Sequence, residues 1–414
     1  MASTLPLSAP SGLPAPSLEA QAHGDKVAAH LRELIAAAHS FDASGTLYTG
    51  SISFADFMRA ALYAPGLGYY TAGATKLGLG GDFVTAPEMS PFFGAALADA
   101  FAAMGATQVL ELGAGSGTLA RDFLAASNGV QSYSILEVSA DLRDRQQSLL
   151  AGKNIAWLDA LPDQIEGLVI ANEVLDAVPC DIVRFHNDHY EQARIVRLPL
   201  PQARSPKGAP VRPGWREGEG TQNPFTQTWQ PLLTGPLLDA AKLRIPPSEG
   251  YTTEINLEAE ALVATLAARL THGALCFIDY GFPRREYYLP DRRTGTLACH
   301  YQQRVHFDPL ILVGLQDVTA HVDFTAIAEA AVDGGCSVIS YSTQAQFLLH
   351  AGLLKRLESY EFANDAQRVT ALGAVQKLLS PAEMGELFKV LVVGKGEAVE
   401  QLASMNAVDQ CYKL

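Results

Sequence analysis

Three glycines at alternate positions, Gly113, Gly115 and Gly117, follow the apolar pair Val109-Leu110 and the acid Glu111, and a helix-like segment, Leu119 to Ala126, comes after them. The stretch VLELGAGSGTLARDF therefore reads as a buried strand, a tight glycine turn and a helix start. In an α/β sheet this is where an adenosine-containing cofactor approaches the backbone. The dinucleotide fingerprint G-x-G-x-x-G needs its third glycine at position 118, which holds Thr118. The spacing G-x-G-x-G suits S-adenosylmethionine, which brings no pyrophosphate to cradle, whereas Glu111 would repel one. An NAD oxidoreductase is disfavoured on the same ground. Glu137 closes the next strand-like run, Ser134-Ile135-Leu136, where a carboxylate can accept both ribose hydroxyls.

A second polar group follows the apolar run GLVIA (Gly167–Ala171), in the order Asn172-Glu173-Val174-Leu175-Asp176. Acids just beyond a buried strand suit an amine or guanidine acceptor, since carboxylates orient the nitrogen and accept its proton. Glu173 and Asp176 are the candidates, although Asn172 and Asp176 also suit helix caps. In Asp317–Phe324 (DVTAHVDF), His321 and Asp323 share one face of an extended segment. A metal site needs more ligands than this pair, and the plainer reading makes Asp323 a helix cap and His321 a hydrogen-bonded loop residue. Asp279-Tyr280-Gly281 ends the strand ALCFID at the crevice edge, and Asp159, after Trp157, stands where an acid can reach the adenine amino group. His300 and His306 read as structural. GLGLGGDF lacks the Lys-Ser/Thr tail of a P-loop.

The elements that must position these residues alternate strand and helix, which indicates a parallel doubly wound sheet. Strands are expected near Val109, Ser134–Val138, Ile155–Trp157, Gly167–Ala171, Ala274–Asp279, Cys336–Tyr341 and Phe388–Val393, the last antiparallel at the sheet edge. Helices are expected over Val27–Ala38, Ser53–Tyr63, Pro91–Met104 and Leu142–Leu150, and across 355–380. The Gly-rich stretch Tyr63–Ser90 is too long for a plain connection and reads as a lid, with Phe83, Thr85 and Glu88 available for contacts. The expected organisation of the 414 residues is a disordered tail over 1–22, N-terminal helices and lid over 23–95, a cofactor-binding domain over 96–396 and a C-terminal tail over 397–414. A Pro/Gly/Gln/Arg-rich insertion, partly mobile, is expected at 199–250.

Composition narrows the class. A hydrophobic content of 48% with 18% charged residues is globular, and a net charge of −14 argues against a general nucleic-acid or membrane-surface binder. No apolar run is long enough for a membrane span. The N-terminal segment has neither a compact apolar core nor an early arginine, so no secretory or transit peptide is expected. Five scattered cysteines fit buried thiols in a reducing compartment.

Several blocks together resemble a known family. GDFVTAPEMSPFFG (Gly81–Gly94), VLELGAGSGTLARDFL, YSILEVSADLRDRQ, IANEVLDAVPCDIVRF, FIDYGF, DPLILVGLQDVTAHVDFTAIA and MGELFKVLVVGKG (Met384–Gly396) are similar, in order, to the MidA-like S-adenosylmethionine-dependent methyltransferases. The resemblance implies a class I methyltransferase (Rossmann-like) fold, with Gly113, Gly115, Glu137 and Asn172-Glu173 at the cofactor and acceptor side; Gly117, Glu111 and Asp159 join the cofactor-binding candidates by their positions. It places Gly81–Ser90, including Thr85, Pro87 and Glu88, over the cofactor. Mitochondrial members are complex I assembly factors that dimethylate an arginine on a complex I subunit. The same chemistry is the expectation here, in a bacterial, cytoplasmic member with a protein substrate, with Glu173, Asp176, Asp323 and His321 as the acceptor-side residues. The alternative is a cofactor-binding assembly chaperone, which has no need of Glu173. The 199–230 segment is longer and richer in proline than the family pattern.

Overall fold

Apolar runs in this chain supply two faces at once. Leu168 and Ile170 join one core cluster while Val169 and Ala171 join another, and the same alternation holds along Ala274–Ile278 and Val390–Val393. A period of two with both faces apolar makes a strand that must be covered on both sides. Seven strands run through the central sheet: β1 (Gln108–Leu112), β2 (Ser132–Leu136), β3 (Ile155–Leu158), β4 (Ile165–Asn172), β5 (Leu270–Phe282), β6 (Ser337–Thr343) and β7 (Phe388–Lys395), and the short strand Val322–Asp323 adds to the end of β5 as an eighth. Their order is β3-β2-β1-β4-β5-β7-β6. Neighbours from β3 to β5 pair in parallel, and β7 runs antiparallel to both β5 and β6. The structure, a computed structural model, describes residues 12–41, 47–73, 84–198 and 224–414.

Helices cover both faces. Pro91–Phe101 and Thr118–Ala126 pack on one through Phe93, Leu97, Leu119 and Phe123. Leu257–Arg269 and Phe324–Asp333 cover the other through Val263, Leu266, Phe324 and Ile327. This is the doubly wound α/β arrangement that the sequence implies. One expectation is corrected: β7 lies between β5 and β6, not at the sheet edge, because its apolar residues face both core clusters.

A second sheet lies outside the alternating pattern. Phe225–Pro231, His189–Arg197, Asp181–His186 and Thr252–Ile255 pair antiparallel in that order, and Ser51–Ser53 adds to His189–Arg197. Helices Leu18–Ala37 and Phe54–Tyr63 pack with it around Leu31, Phe57, Ile195 and Phe225.

Three further boundaries are corrected. The first helix begins at Leu18, where the Ser17 hydroxyl accepts the Ala20 amide, so 18–22 are helix and not tail. Residues 224–250 of the expected insertion hold a strand and the helix Pro236–Arg244; its Pro-rich part, 199–223, lies outside the described residues. The expected C-terminal tail is packed, with Leu402 and Met405 buried and the Gln410 amide donating to the Tyr341 carbonyl.

Gly167 and Gly273 face each other in the β4–β5 register. Gly273 has φ +132°, and a Cβ there would lie 1.9 Å from the Gly167 carbonyl oxygen. Gly273→Ala should therefore lower the unfolding free energy by about 2 kcal/mol or more. Gly373→Ala, in the open face of helix Asp365–Leu379 with nothing within 4 Å, should raise it by roughly 0.5–1 kcal/mol. Denaturant midpoints of the two variants against the parent check both signs.

Candidate cofactor and acceptor site

β1 ends at Leu112, and the chain turns through Gly113, Gly115 and Gly117, all left-handed at φ 59°, 55° and 84°. A Cβ at Gly113 would come within 3.2 Å of Val174 Cγ2, and one at Gly117 within 3.3 Å of Gln146 Cγ. The turn thus keeps bare backbone at the C-terminal edge of the sheet, followed directly by helix Thr118–Ala126, which has no side-chain cap.

Glu137 follows β2 and is buried; its carboxylate accepts the Ser139 amide at 2.9 Å and the Gln146 amide group at 3.0 Å. The same Gln146 Nε2 donates to the Gly115 carbonyl at 2.9 Å, and Gln146 Oε1 accepts the Trp157 indole N–H at 3.0 Å. One fully buried side chain therefore ties the glycine turn, the strand-two acid and β3 together. Burial raises the pKa of Glu137, opposed by these hydrogen bonds. Glu111 is enclosed in the sheet, accepts the Tyr133 hydroxyl at 2.7 Å and is pushed up to about 7 by burial. Asp159, expected near the adenine, has a side chain that is 90% exposed and ion-paired with Arg143 at 2.9 Å.

Beside Glu137, a groove of about 580 Å³ is lined by Tyr63, Pro65, Thr71, Val138, Ala140 and Val178. That is within the size range of small-molecule sites, roughly 300–1,000 Å³. A turn closed to side chains, with a groove of that size lined by Val138 just beyond Glu137, fits an adenosine cofactor.

The loop expected on the acceptor side leaves β4 at Asn172, whose Nδ2 donates to Glu173 Oε1 at 3.1 Å. Glu173 sits at φ 53°, a left-handed conformation that costs a non-glycine residue about 1–3 kcal/mol. Burial first, and then the Asp176 charge, push its pKa up to about 8. Asp176 is buried and accepts the Tyr280 hydroxyl, and burial pushes it up to about 6. It caps no helix. Asp279 accepts the Leu175 and Asp176 amides, and burial holds it well above the usual carboxylate range, with Asp176 and Glu173 adding to the effect. Among the described residues no Lys or Arg forms an ion pair with Glu173, Asp176 or Asp279.

The expected lid is described in part. The turn Ala86–Met89 follows Thr85, whose carbonyl accepts the Glu88 and Met89 amides; Pro87 is buried, and the Ala86 amide donates to Glu173 Oε1 at 3.4 Å. The Glu88 charge contributes to the raised pKa of Glu173. Phe83 lies outside the described residues. On the facing side, Tyr63 donates to the Ala177 carbonyl at 2.9 Å and stacks on Tyr70, whose hydroxyl donates to Asp317.

Asp323 follows the plainer of its two readings, whereas the His321 ring is packed and its Nδ1 has no hydrogen-bond partner among the described residues. Asp323 caps helix Phe324–Asp333 by accepting the Ala326 amide, with Arg284 3.6 Å away. His321 packs on Tyr280 and Phe282, and burial lowers its pKa to about 4. Both line a separate void of about 20 Å³, room for one water molecule. Gln146, Tyr63 and the Asp279–Tyr280 bonds are site features that sequence reasoning missed. Asp279 and Tyr280 had been placed at the crevice edge without a role.

Residues 92–342, more than half of the chain, match the family described as "Putative S-adenosyl-L-methionine-dependent methyltransferase". The chain belongs to this family. Two crystal structures from Burkholderia thailandensis are similar along nearly the whole chain. One, bound to S-adenosyl-homocysteine, is 36% identical with a TM-score of 0.82; the other is 37% identical with a TM-score of 0.80. Each covers 97% of this chain and 100% of its own. The protein named arginine methyltransferase NDUFAF7, mitochondrial, from Danio rerio is 29% identical over 85% of both chains. The human protein of that name is 28% identical over 82% of this chain and 79% of its own. The protein is thus an S-adenosylmethionine-dependent methyltransferase with the class I fold. Among the described residues no helix is long and apolar enough to cross a membrane.

Two outcomes follow from this geometry. Gln146→Leu keeps the volume but removes the bonds to Gly115, Glu137 and Trp157, so affinity for S-adenosylhomocysteine should fall at least tenfold in a calorimetric titration, and unchanged affinity would count against the role of the clamp. Glu173→Gln should stabilise the protein at pH 8 but not at pH 4. The folded state keeps Glu173 protonated up to about 8, whereas the unfolded chain ionises near its ordinary value, so stability is lost as pH rises between the two. Removing the acid should recover on the order of 2 kcal/mol at pH 8, read from thermal melts at both pH values.

Proposed function

We propose that the protein methylates an arginine guanidinium of a protein substrate, with a respiratory complex I subunit as the candidate acceptor. The observation that carries this reading is the group Glu173, Asp176 and Asp279: the two aspartates buried and Glu173 half-buried, all raised in pKa and without a cationic partner among the described residues. Acids held above their ordinary pKa are relieved when a cation arrives. A planar guanidinium presents paired N–H groups that match a carboxylate edge, whereas a lysine ammonium does not. The arginine methyltransferase names of the mitochondrial relatives and the resemblance to complex I assembly factors support the same assignment.

In this reading Gly113, Gly115 and Gly117 bring backbone to the cofactor, Glu137 accepts its ribose hydroxyls, and Asn172, Thr85, Pro87 and Glu88 close around it. S-adenosylmethionine supplies an activated methyl group when bound. Glu173 orients the guanidinium and Asp176 holds its other edge. As the acceptor nitrogen gains its new bond it gives up a proton, and Glu173, with its pKa near 8, is suited to take it. Tyr63 and the Ala86–Met89 turn exclude water.

The test separates two roles. Glu173→Gln removes a charge-assisted pair worth on the order of 2–4 kcal/mol, and transfer should slow by roughly 30- to 1000-fold with cofactor affinity unchanged. Glu137→Gln should weaken cofactor binding first. Labelled S-adenosylmethionine in an extract from cells deleted for this chain reads the transfer, and calorimetry reads the binding. Full transfer by Glu173→Gln would exclude the acceptor role. Absence of any methylated acceptor, with normal assembly supported by Glu173→Gln, would favour the chaperone. Transfer should also increase with pH as the cluster, with values of about 6 for Asp176 and about 8 for Glu173, ionises to hold the cation.

A further inference from the structure

Asp279 is 1% exposed and lies at the C-terminal end of β5, too enclosed to meet an acceptor. Its hydrogen bonds nevertheless reach the loop that carries Glu173 and Asp176. Oδ2 accepts the Leu175 amide at 3.0 Å and the Asp176 amide at 3.2 Å, and Oδ1 accepts the Tyr280 amide at 2.9 Å. The Tyr280 hydroxyl returns to the Asp176 carboxylate, and the Glu173 amide donates to the Ile278 carbonyl at 2.9 Å. Three consecutive residues of β5 thus hold the loop at its start and at its end.

We propose that Asp279 is the positioning residue of the acceptor loop, fixing Glu173 and Asp176 through the backbone; the inference rests on the reading that these two acids face the acceptor. Two observations carry it beyond a plain structural bond. Glu173 is held at a left-handed φ that an unrestrained loop would relax, and relaxation would swing its carboxylate away from its position. Asp176 Oδ1 has no hydrogen-bond partner among the described residues, although the side chain is buried and its other oxygen is held by Tyr280. The charged and titratable groups around Asp279 include Asp176, Glu173 and Tyr280, with Glu88 beyond Glu173, Tyr63, Tyr70 and Asp317 on the side of helix Phe54–Tyr63, His321 against the Tyr280 ring, and Lys389 paired across from Asp279 on β7, its ammonium donating to the Glu386 and Leu387 carbonyls. Asp279 therefore shapes the position of the two acids through the amides it holds.

Asp279→Asn tests this in the full chain. An amide has one acceptor oxygen, so it serves either the loop amides or the Tyr280 amide but not both. The expected result has four parts. Calorimetric affinity for S-adenosylhomocysteine stays within threefold. Hydrogen exchange at the Leu175 and Asp176 amides quickens at least tenfold. Methyl transfer from labelled S-adenosylmethionine to extract protein falls roughly 10- to 100-fold, the scale of a displaced reacting group. The pH at which transfer rises stays in place, because Asp176 and Glu88, not Asp279, add their charge to Glu173, and the loss appears in kcat with the KM for S-adenosylmethionine unchanged. Should Asp279→Asn fail to fold, Tyr280→Phe serves instead: it removes only the hydroxyl bound to Asp176, and should slow transfer and move the same limb to higher pH. Unchanged exchange at Leu175 and Asp176 overturns the proposal, and so does a loss carried by the KM for S-adenosylmethionine with kcat unchanged, which would mark a general distortion of the site. If Glu173→Gln loses transfer while Asp279→Asn keeps it, the positioning fails alone. If Glu173→Gln keeps transfer, the acceptor reading fails and the proposal falls with it.

Discussion

A sheet covered on both faces leaves polar chemistry few places to go. Along β4 and β5, alternate residues enter opposite apolar cores, so a charged side chain within either run would be stranded without water or partner. The acids collect instead where the strands stop. Glu137 follows the end of β2, Glu173 follows β4, and Asp279 sits near the end of β5. Because β1, β2, β4 and β5 are parallel neighbours, those ends share one edge. The site results from that constraint, and the glycine turn after β1 allows backbone to join it.

The cost of the arrangement is electrostatic. Burial raises Glu173, Asp176 and Asp279 together; the Asp176 charge adds to the effect on Glu173, and both add to the effect on Asp279. A protein selected for stability alone would place amides or apolar groups there. Retaining three acids beside a strained loop fits a site whose charge is completed by a ligand. The contrast with Asp323 is instructive: that acid is also buried, but Arg284 and Arg244 offset it, and its cap to Ala326 gives it a structural role.

Much of this was legible in the sequence, for a definite reason. The glycine turn, Glu137 and the Asn172–Asp176 loop depend on local patterns, an apolar run followed by a turn or an acid, and a pattern of that kind survives without knowledge of tertiary contacts. Where function rests on partners distant in sequence, the signal is lost. Asp279 and Leu175 are 104 residues apart, so the crevice-edge position of Asp279 could be read but not its bonds. Gln146 lies in a polar helix, Ala140–Leu149, where one buried amide looks like any solvated one. The place of β7 between β5 and β6 is a choice of topology that strand periodicity does not encode, and the sheet around His189–Arg197 lies outside the βα alternation altogether.

The bonds made by Gln146 bear on the order of events in a catalytic cycle. Its amide already joins the Gly115 carbonyl, Glu137 and Trp157, so that half of the crevice is preorganised and little ordering entropy is lost when a nucleoside settles there. On the side of Glu173, the Ala86–Met89 turn meets the loop, among the described residues, through one long 3.4 Å bond from the Ala86 amide. A rigid half beside a loosely closed one favours sequential loading, nucleoside first and polypeptide second, with the departure of the spent nucleoside gated by reopening of the looser wall.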